Sequence, residues 1–469
     1  TAKVSMKSYT IEQPTILVIV GISGDLSRRK LIPALLKIYK AGILPEKFRI
    51  VGVSTNDTSH ANVFPKDDDS GMQDKTEIIT MDLTDVQACQ NLGEHLDGIE
   101  EEFQASAQRL FYLAVPPQVS PAIIESLGQA GLLKRRDTKL LLEKPFGVDL
   151  ESALERVEQL RAHCEEEQIY RIDHYLAKEM AQNLIVFRNG NSLIKRTWSR
   201  DFIESIEIIA TEEIGIEGRA AFYEQTGALR DFVQSHLLQL AALILMELPS
   251  SIENWDDVPE LRLRALSAIE PPRYIEEQVQ RGQYIGYREE VGNPDSTVET
   301  YVSMTLYSRD WRWQGVPITL TTGKALDQKR TEIRIRYRQE DSLHANELVM
   351  RVQPNEGVTL HMWVKKPGHE HELQELPLNV AYEQHFSQLP DAYERVLADA
   401  MLSNRALFTT SEETIAAWRI LEPVQKAWAM SSDDLFFYKP GEDPKKIGLV
   451  MPDPAMDSPL HYMPFATTR

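Results

Sequence analysis

Cysteine is scarce in this chain. Cys89 and Cys164 are the only two in 469 residues, with no paired spacing. A disulfide framework and a Cys-type zinc site are excluded on that count, no metal is expected, and a reducing, cytoplasmic compartment is the expectation. Basic residues are also in short supply: 51 Lys and Arg stand against 71 Asp and Glu, for a formal net charge of −20. So acidic a chain lacks the basic footprint that a nucleic-acid or anionic-membrane surface requires. An anionic small substrate would need a local basic pocket. No apolar run reaches the roughly 18 residues of a membrane span; the nearest approach is LLQLAALILMEL, residues 237–248. The opening TAKVSMKSYT lacks the apolar core of a secretory signal.

What is present is the composition of a globular enzyme, 42% hydrophobic and 26% charged, long enough for roughly two or three domains. TILVIV, residues 15–20, is an uninterrupted apolar run of the kind buried on both faces of a sheet. It leads into GISGDLSRRK and a helical pattern through Leu26, Ile32, Leu35, Leu36 and Tyr39. Strand, glycine turn and helix in that order form the first unit of a dinucleotide-binding fold. Gly21 allows the tight turn, and Gly24 lets the backbone approach a pyrophosphate at the helix N-terminus. The spacing is the short G-x-x-G, which by itself also fits a plain turn. FRIVGV, residues 48–53, supplies a second strand. The positions after it, which normally choose between a free ribose and a 2′-phosphate, are Ser54, Thr55, Asn56 and Asp57, with no arginine.

Residues 60–108 read as loop plus helices, with a solvated acidic run at 67–70. RLFYLAVPP at 109–117 and TKLLLEKPFG at 138–147 are two further buried strands, the latter placing Lys144 at its C-terminal edge, where ligands bind in open α/β sheets. A helix at 149–166 leads to RIDHYLAKE, residues 171–179. Taken as a strand running into a helix, this stretch puts His174 and Lys178 on one face with Tyr175 beside Lys178. Two cations and a hydroxyl near a helix N-terminus make a pocket for a phosphate dianion. Asp173 would repel that phosphate and is better used to orient a histidine from elsewhere in the fold. The competing reading is a solvated helix start with Asp173 near its cap.

Beyond residue 185, IESIEIIA at 203–210 alternates as a half-buried antiparallel strand does. GALRDFVQSHLLQL follows, a helix whose His236 sits among apolar residues, beside an unusual polar load of Arg230, Asp231, Gln234 and Gln239. From 297 to 375 short strands succeed one another without helices, as in an antiparallel sheet. The tail from 382 to 430 is helical and residues 438–469 are irregular; HEH at 369–371 reads as a solvated loop.

GISGDLSRRKL (21–31), LLEKPFG (141–147), RIDHYLAKE (171–179), GIEGRAAFYEQTGALRDFVQSHLLQL (215–240) and WRWQGVPITLTTGKAL (311–326) together resemble the glucose-6-phosphate dehydrogenase family over nearly the full chain. QPNEGVTLHMWVKKPG (353–368) and DAYERVLADAM (391–401) complete the match. The resemblance implies oxidation of glucose 6-phosphate at C1, with hydride passing to NADP or NAD. It makes His236 the catalytic base and Asp173 the carboxylate that holds the imidazole in one tautomer. His174, Tyr175 and Lys178 would grip the 6-phosphate. Glu212, Asp231 and Lys324 match sugar-binding positions, Lys329 a further basic contact, and Lys144 a group that touches substrate and cofactor together. Gly21, Ser23, Gly24, Asp25 and Leu26 form the cofactor turn.

Three departures stand out. Thr55 replaces the arginine that meets the 2′-phosphate, so Ser23, Arg28 or Arg29 must compensate, or Asp57 accepts a ribose hydroxyl and NAD is used. Ser235 replaces the usual asparagine before the histidine, and the segment after about residue 440 lacks the common tryptophan-glycine pattern. The architecture expected is a Rossmann-like doubly wound α/β domain over 1–180. A larger α+β domain with an extended antiparallel sheet covers 181–469, and the resemblance implies a homodimer or homotetramer joined through that sheet. A non-catalytic sugar-phosphate sensor on the same fold, and an oxidoreductase for unphosphorylated sugars, are the rival readings.

Overall fold

The run Thr15–Val20 is buried at every position, because its strand lies at the centre of a sheet with helices on both faces. In the computed structural model, residues 10–66, 68, 70–339, 344–386 and 390–444 are described. The leader before residue 10, residues 67 and 69 of the acidic run, and the tail from 445 lie outside them.

Among the described residues the chain forms two compact units. The first draws on the described residues up to Trp198, on Gln239–Ala268 and on the described residues of 381–419, the second on Ser199–Leu238, on the described residues of 269–380 and on those from Ile420 onward.

The sheet of the first unit runs, edge to edge, Phe408–Thr409, Ile169–Ile172, Thr138–Leu142, Gln108–Leu113, Thr15–Val20, Phe48–Ser54, Thr76–Thr80. All neighbours are parallel except the short Phe408–Thr409. The order reverses at Thr15–Val20, the arrangement of a doubly wound dinucleotide-binding sheet. Leu17 and Ile19 point into one core with helices Ile32–Lys40 and Ala392–Met401. Ile16, Val18 and Val20 point into the other, with helices Val86–Phe103 and Ser120–Gln129. Period-two alternation thus serves two apolar layers, and the strand reads as unbroken. The strand Thr76–Thr80 is a correction to the loop-plus-helix reading of 60–108. It is an edge strand, half-buried, and its polar ends conceal it.

Buried polar groups tie the later segments to this sheet. Arg262 and Glu413 form a fully buried ion pair, and the same guanidinium donates to the carbonyls of Ala406 and Phe408. Lys139 donates to Gln108 Oε1 (2.7 Å), Ser403 Oγ (2.8 Å) and the carbonyl of Ala400 (2.5 Å), at the end of helix Ala392–Met401. The free thiols Cys89 and Cys164 are buried, and burial pushes them up to about 12 and about 11, which makes both inert.

The second unit is built on a ten-stranded sheet in the order Leu373–Ala381, Gly357–Lys365, Glu347–Gln353, Arg330–Tyr337, Ile203–Thr211, Ile318–Gly323, Tyr301–Ser308, Val279–Tyr284, Leu435–Tyr438, with Ile269–Glu270 on Tyr301–Ser308. Most of the pairing is antiparallel, as expected. Two pairs correct the expectation to a mixed sheet: Ile318–Gly323 runs parallel to Ile203–Thr211, and Leu435–Tyr438 parallel to Val279–Tyr284. Both join strands distant in sequence, so no hairpin signal marks them. His369 and His371 are exposed, as the solvated-loop reading requires.

Burial pulls the Lys139 ammonium from an ordinary 10.5 down to about 8. The unfolded chain then holds a proton that the folded chain releases between those values, so stability rises with pH across that window. The destabilisation is complete below about pH 8. Thermal melts at pH 7, 8, 9 and 10 should show this rise in the wild type and a smaller one in Lys139→Met. Equal slopes would contradict it.

Candidate functional site

In the first unit the turn after Thr15–Val20 is fixed by close backbone approach. Gly21 has φ +90°, and a Cβ there would stand 2.5 Å from the carbonyl oxygen of Ala114. Only glycine fits. The Gly24 amide donates to the Gly21 carbonyl (3.0 Å), and Ser27 Oγ donates to the same oxygen (2.9 Å). The helix begins at Asp25, directly after the glycine turn. A helix N-terminus entered through a glycine turn at the carboxyl edge of a parallel sheet fits a dinucleotide pyrophosphate.

Of the side chains here, Leu26 packs against the core, and Asp25 makes an exposed pair with Arg29 at 2.7 Å. Ser23 Oγ lies 3.1 Å from Ser54 Oγ, which also accepts from the Asn56 amide (3.2 Å). Thr55 and Arg28 are exposed. The Arg28 amide donates to the Gly24 carbonyl (3.1 Å), and its guanidinium makes no hydrogen bond or ion pair among the described residues.

Lys144 stands just beyond Thr138–Leu142 at the sheet's carboxyl edge, before a cis Lys144–Pro145 peptide. Beside it Glu143 accepts from Tyr112 Oη at 2.6 Å, and desolvation holds its carboxyl above the usual range.

RIDHYLAKE departs from the expected helix. Ile169–Ile172 ends the strand, residues 174–177 are a turn, and the helix starts only at Glu179, with Lys178 in extended conformation (φ −69°, ψ 141°) as its cap. The cause is local. Asp173 Oδ1 accepts the Tyr175 amide (2.9 Å) and its carbonyl accepts the Leu176 amide (3.1 Å), an Asx-type turn that competes with helix. The turn nonetheless groups the three residues assigned to a phosphate. The His174 and Tyr175 rings meet edge to face at 4.9 Å, and Lys178 Nζ lies 5.5 Å from the Tyr175 ring centre. Asp173 is buried beneath them at 2% exposure.

In the second unit, Ala220–Ala228 is separated from the next helical segment by Gly227 at φ +65°. Leu229–Leu237 then winds as a wide π-helix carrying Arg230, Asp231, Ser235 and His236. His236 is 1% exposed and meets the Phe232 ring edge to face at 5.5 Å. Gln234 is buried as well, and Ser235 Oγ reaches back to the carbonyl of Asp231 (3.4 Å).

Lys324 follows strand Ile318–Gly323, and Glu212 follows Ile203–Thr211. The register Gly323↔Thr211 brings them side by side, and their side chains form a short ion pair. Lys329 lies five residues further on, exposed, with no hydrogen bond or ion pair among the described residues.

Two buried groups escaped the sequence reading. Glu299 accepts the Leu229 amide at 2.9 Å through Oε1, and its carbonyl accepts the Ala228 amide at 3.0 Å. Its carboxylate therefore caps the helix of Asp231 and His236, and a Cβ on Gly227 would strike it at 2.4 Å. The second is Tyr223, 2% exposed, whose ring centre lies 5.2 Å from Lys324 Nζ. Both residues act from about 70 to 100 positions away from their partners in sequence (Leu229 with Glu299, Tyr223 with Lys324), so no local pattern flags them.

Comparison with known proteins gives a consistent picture. Residues 18–183 match the model of the glucose-6-phosphate dehydrogenase NAD binding domain, and residues 185–451 that of the glucose-6-phosphate dehydrogenase C-terminal domain. Glucose-6-phosphate 1-dehydrogenase of Chlamydia muridarum is 34% identical over 463 residues, covering 89% of this chain and 90% of the relative. The Dictyostelium discoideum enzyme of the same name is 36% identical over 440 residues, 87% of each chain. A solved glucose-6-phosphate dehydrogenase in complex with its substrate glucose-6-phosphate superposes with a TM-score of 0.86 at 30% identity, covering 93% of this chain and 96% of that one.

The cap on the π-helix is open to test. Desolvation raises the Glu299 carboxyl above its ordinary 4.5, so the folded state favours the protonated form and loses stability as pH rises above that value. Glu299→Ala removes the acceptor and should cost about 1–2 kcal/mol in denaturant melts. Glu299→Gln keeps an acceptor and should stay near the wild type, gaining on it from pH 5 to 7.5. Equal damage from both substitutions would refute the cap.

Proposed function

Because the chain belongs to the glucose-6-phosphate dehydrogenase family, we propose that it oxidises glucose 6-phosphate at C1 to 6-phosphogluconolactone, the first step of the pentose phosphate pathway. The observation that carries this reading is that the match spans both halves of the chain while the positions assigned to the base, its carboxylate partner and the substrate contacts all keep residues able to do the chemistry, Thr55 and Ser235 being the departures. When bound, the nicotinamide supplies the hydride acceptor.

His236 takes the proton of the C1 hydroxyl as hydride departs, and Asp173 is the carboxylate that sets its tautomer and stabilises the imidazolium. His174, Tyr175 and Lys178, grouped on one turn, receive the 6-phosphate. Glu212, Asp231 and Lys324 take sugar hydroxyls, with Lys329 as an outer basic contact. Lys144 serves substrate and cofactor from the sheet edge. Gly21, Ser23, Gly24, Asp25 and Leu26 form the pyrophosphate turn, where backbone amides meet negative charge without the basic surface this chain lacks.

For the cofactor we favour NADP. Thr55 offers no cation, but the exposed Arg28 side chain has no acidic partner among the described residues, whereas Arg29 is engaged by Asp25. Arg28 and the Ser23–Ser54 hydroxyl pair are the groups we assign to the 2′-phosphate.

Two further readings belong here. The first is a homodimer or homotetramer formed through the larger sheet. Its edge strand Leu373–Ala381 presents Leu376, Leu378 and Val380 at 42%, 60% and 50% exposure, an apolar row that a second copy would cover. The second is a cytoplasmic location, in keeping with buried reduced thiols. Among the described residues no helix is long and apolar enough to cross a membrane.

Initial rates on glucose 6-phosphate with NADP and with NAD, titrated separately, test the proposal. Turnover is expected with preference for NADP. Arg28→Ala should lower kcat/KM for NADP by about ten- to a hundredfold and leave NAD unaffected. His236→Asn should lower kcat by about 10²–10⁴-fold, and the wild-type rate should fall at low pH as the imidazole takes up a proton. Sugar-phosphate binding without turnover would favour a sensor. Turnover of free glucose unchanged by Lys178→Ala would favour another sugar oxidoreductase.

A further inference from the structure

Lys324 is held in a way that its part in sugar binding does not by itself require. Its backbone is pinned at both polar groups: its amide donates to the Thr300 carbonyl (2.9 Å) and its carbonyl accepts from Tyr438 Oη (2.6 Å), while the next residue is held by the Gly441 amide, which donates to the Ala325 carbonyl (2.8 Å). Tyr438 comes from the strand Leu435–Tyr438, and its hydroxyl also meets Thr300 Oγ1 at 2.8 Å. The base of the side chain is therefore fixed.

At the far end the ammonium has, among the described residues, an ion-pair partner in the Glu212 carboxylate and a ring contact with the face of Tyr223, at 5.2 Å from the ring centre. An ammonium group has three donor directions. With the carboxylate on one side and the ring on another, the third is left for a ligand. The ring itself cannot shift. It is 2% exposed and packed edge to face on Tyr287 at 6.1 Å, and Tyr287 donates to Glu224 Oε1 at 2.7 Å. The Tyr223 hydroxyl, by contrast, is buried with no hydrogen-bond partner among the described residues. What matters at this position is the ring, with its negative π-face toward a desolvated cation.

We propose that Tyr223 is a positioning residue for substrate binding, whose ring face holds the Lys324 ammonium against Glu212 with one donor turned to the sugar. This rests on the glucose 6-phosphate reading above and adds a determinant to it. The consequence is specific. Losing the ring should weaken sugar-phosphate binding through Lys324 alone and leave the cofactor turn of the other unit untouched.

The test is steady-state kinetics on the full chain with Tyr223→Phe, Tyr223→Leu, Lys324→Met and the Tyr223→Leu/Lys324→Met pair. Tyr223→Leu should raise KM for glucose 6-phosphate about tenfold with kcat within about threefold and KM for the cofactor unchanged. Tyr223→Phe should restore KM, since only the unpartnered hydroxyl is lost. In the Lys324→Met background, Tyr223→Leu should have no further effect. If Tyr223→Leu does not fold, fluorinated phenylalanines at position 223 keep the shape while draining the π-face, and KM should climb with each added fluorine.

A flat fluorine series, an additive double mutant, or a Tyr223→Phe as poor as Tyr223→Leu would overturn the inference while leaving the function intact. Absence of turnover by the wild type would overturn the function itself, and this inference with it.

Discussion

A single buried carboxylate decides where the most polar helix of the chain begins. Glu299 reaches across to the Leu229 amide, at a point where Gly227 turns the backbone through φ +65° and leaves room for the carboxylate alone. From that point the π-helix Leu229–Leu237 carries Asp231 and His236 at fixed heights. An alanine in place of Gly227 would strike Glu299, and loss of the Glu299 side chain would leave the Leu229 amide of a buried helix without its acceptor. π-Helical turns are costly and concentrate at functional sites, where the widened turn redirects side chains.

The same economy of backbone appears at the cofactor turn. The distance between the backbones at Gly21 and Ala114 excludes any side chain at position 21, which puts the start of the helix at the sheet's carboxyl edge. In a chain of net charge −20, anions are met by such local devices rather than by a basic surface. Lys178 at a helix cap, Lys144 at a strand end and Lys324 against a tyrosine ring are three more. Lys178 adds its charge to the positive end of a helix, Lys144 stands at the carboxyl edge of a sheet, and the Lys324 ammonium lies over a π-face. Of the lysines proposed for the site, Lys329 is the exposed one.

Much of this was legible in the sequence, for identifiable reasons. TILVIV and TKLLLEKPFG read correctly as central strands because both faces of the sheet are covered, which makes the apolar runs continuous. The glycine turn read correctly because a tight strand-to-helix corner has few chemical solutions. RIDHYLAKE read correctly in composition and wrongly in conformation. A helical period of four put His174 and Lys178 on one face, but the Asp173 side chain captures the Tyr175 amide and delays the helix to Glu179. The edge strand Thr76–Thr80 and the two parallel pairs of the larger sheet were invisible, because they depend on partners far away in the chain. Glu299 and Tyr223 were missed for the same reason.

The central claim is that hydride leaves C1 of glucose 6-phosphate while His236 takes the hydroxyl proton. The most direct measurement uses glucose 6-phosphate deuterated at C1, following both the rate of nicotinamide reduction in a single turnover and the fate of the label. The expected result is a slower reduction with the deuterated sugar and deuterium recovered on the reduced nicotinamide ring. Reduction with no isotope effect in the chemical step and the label lost to water would contradict it.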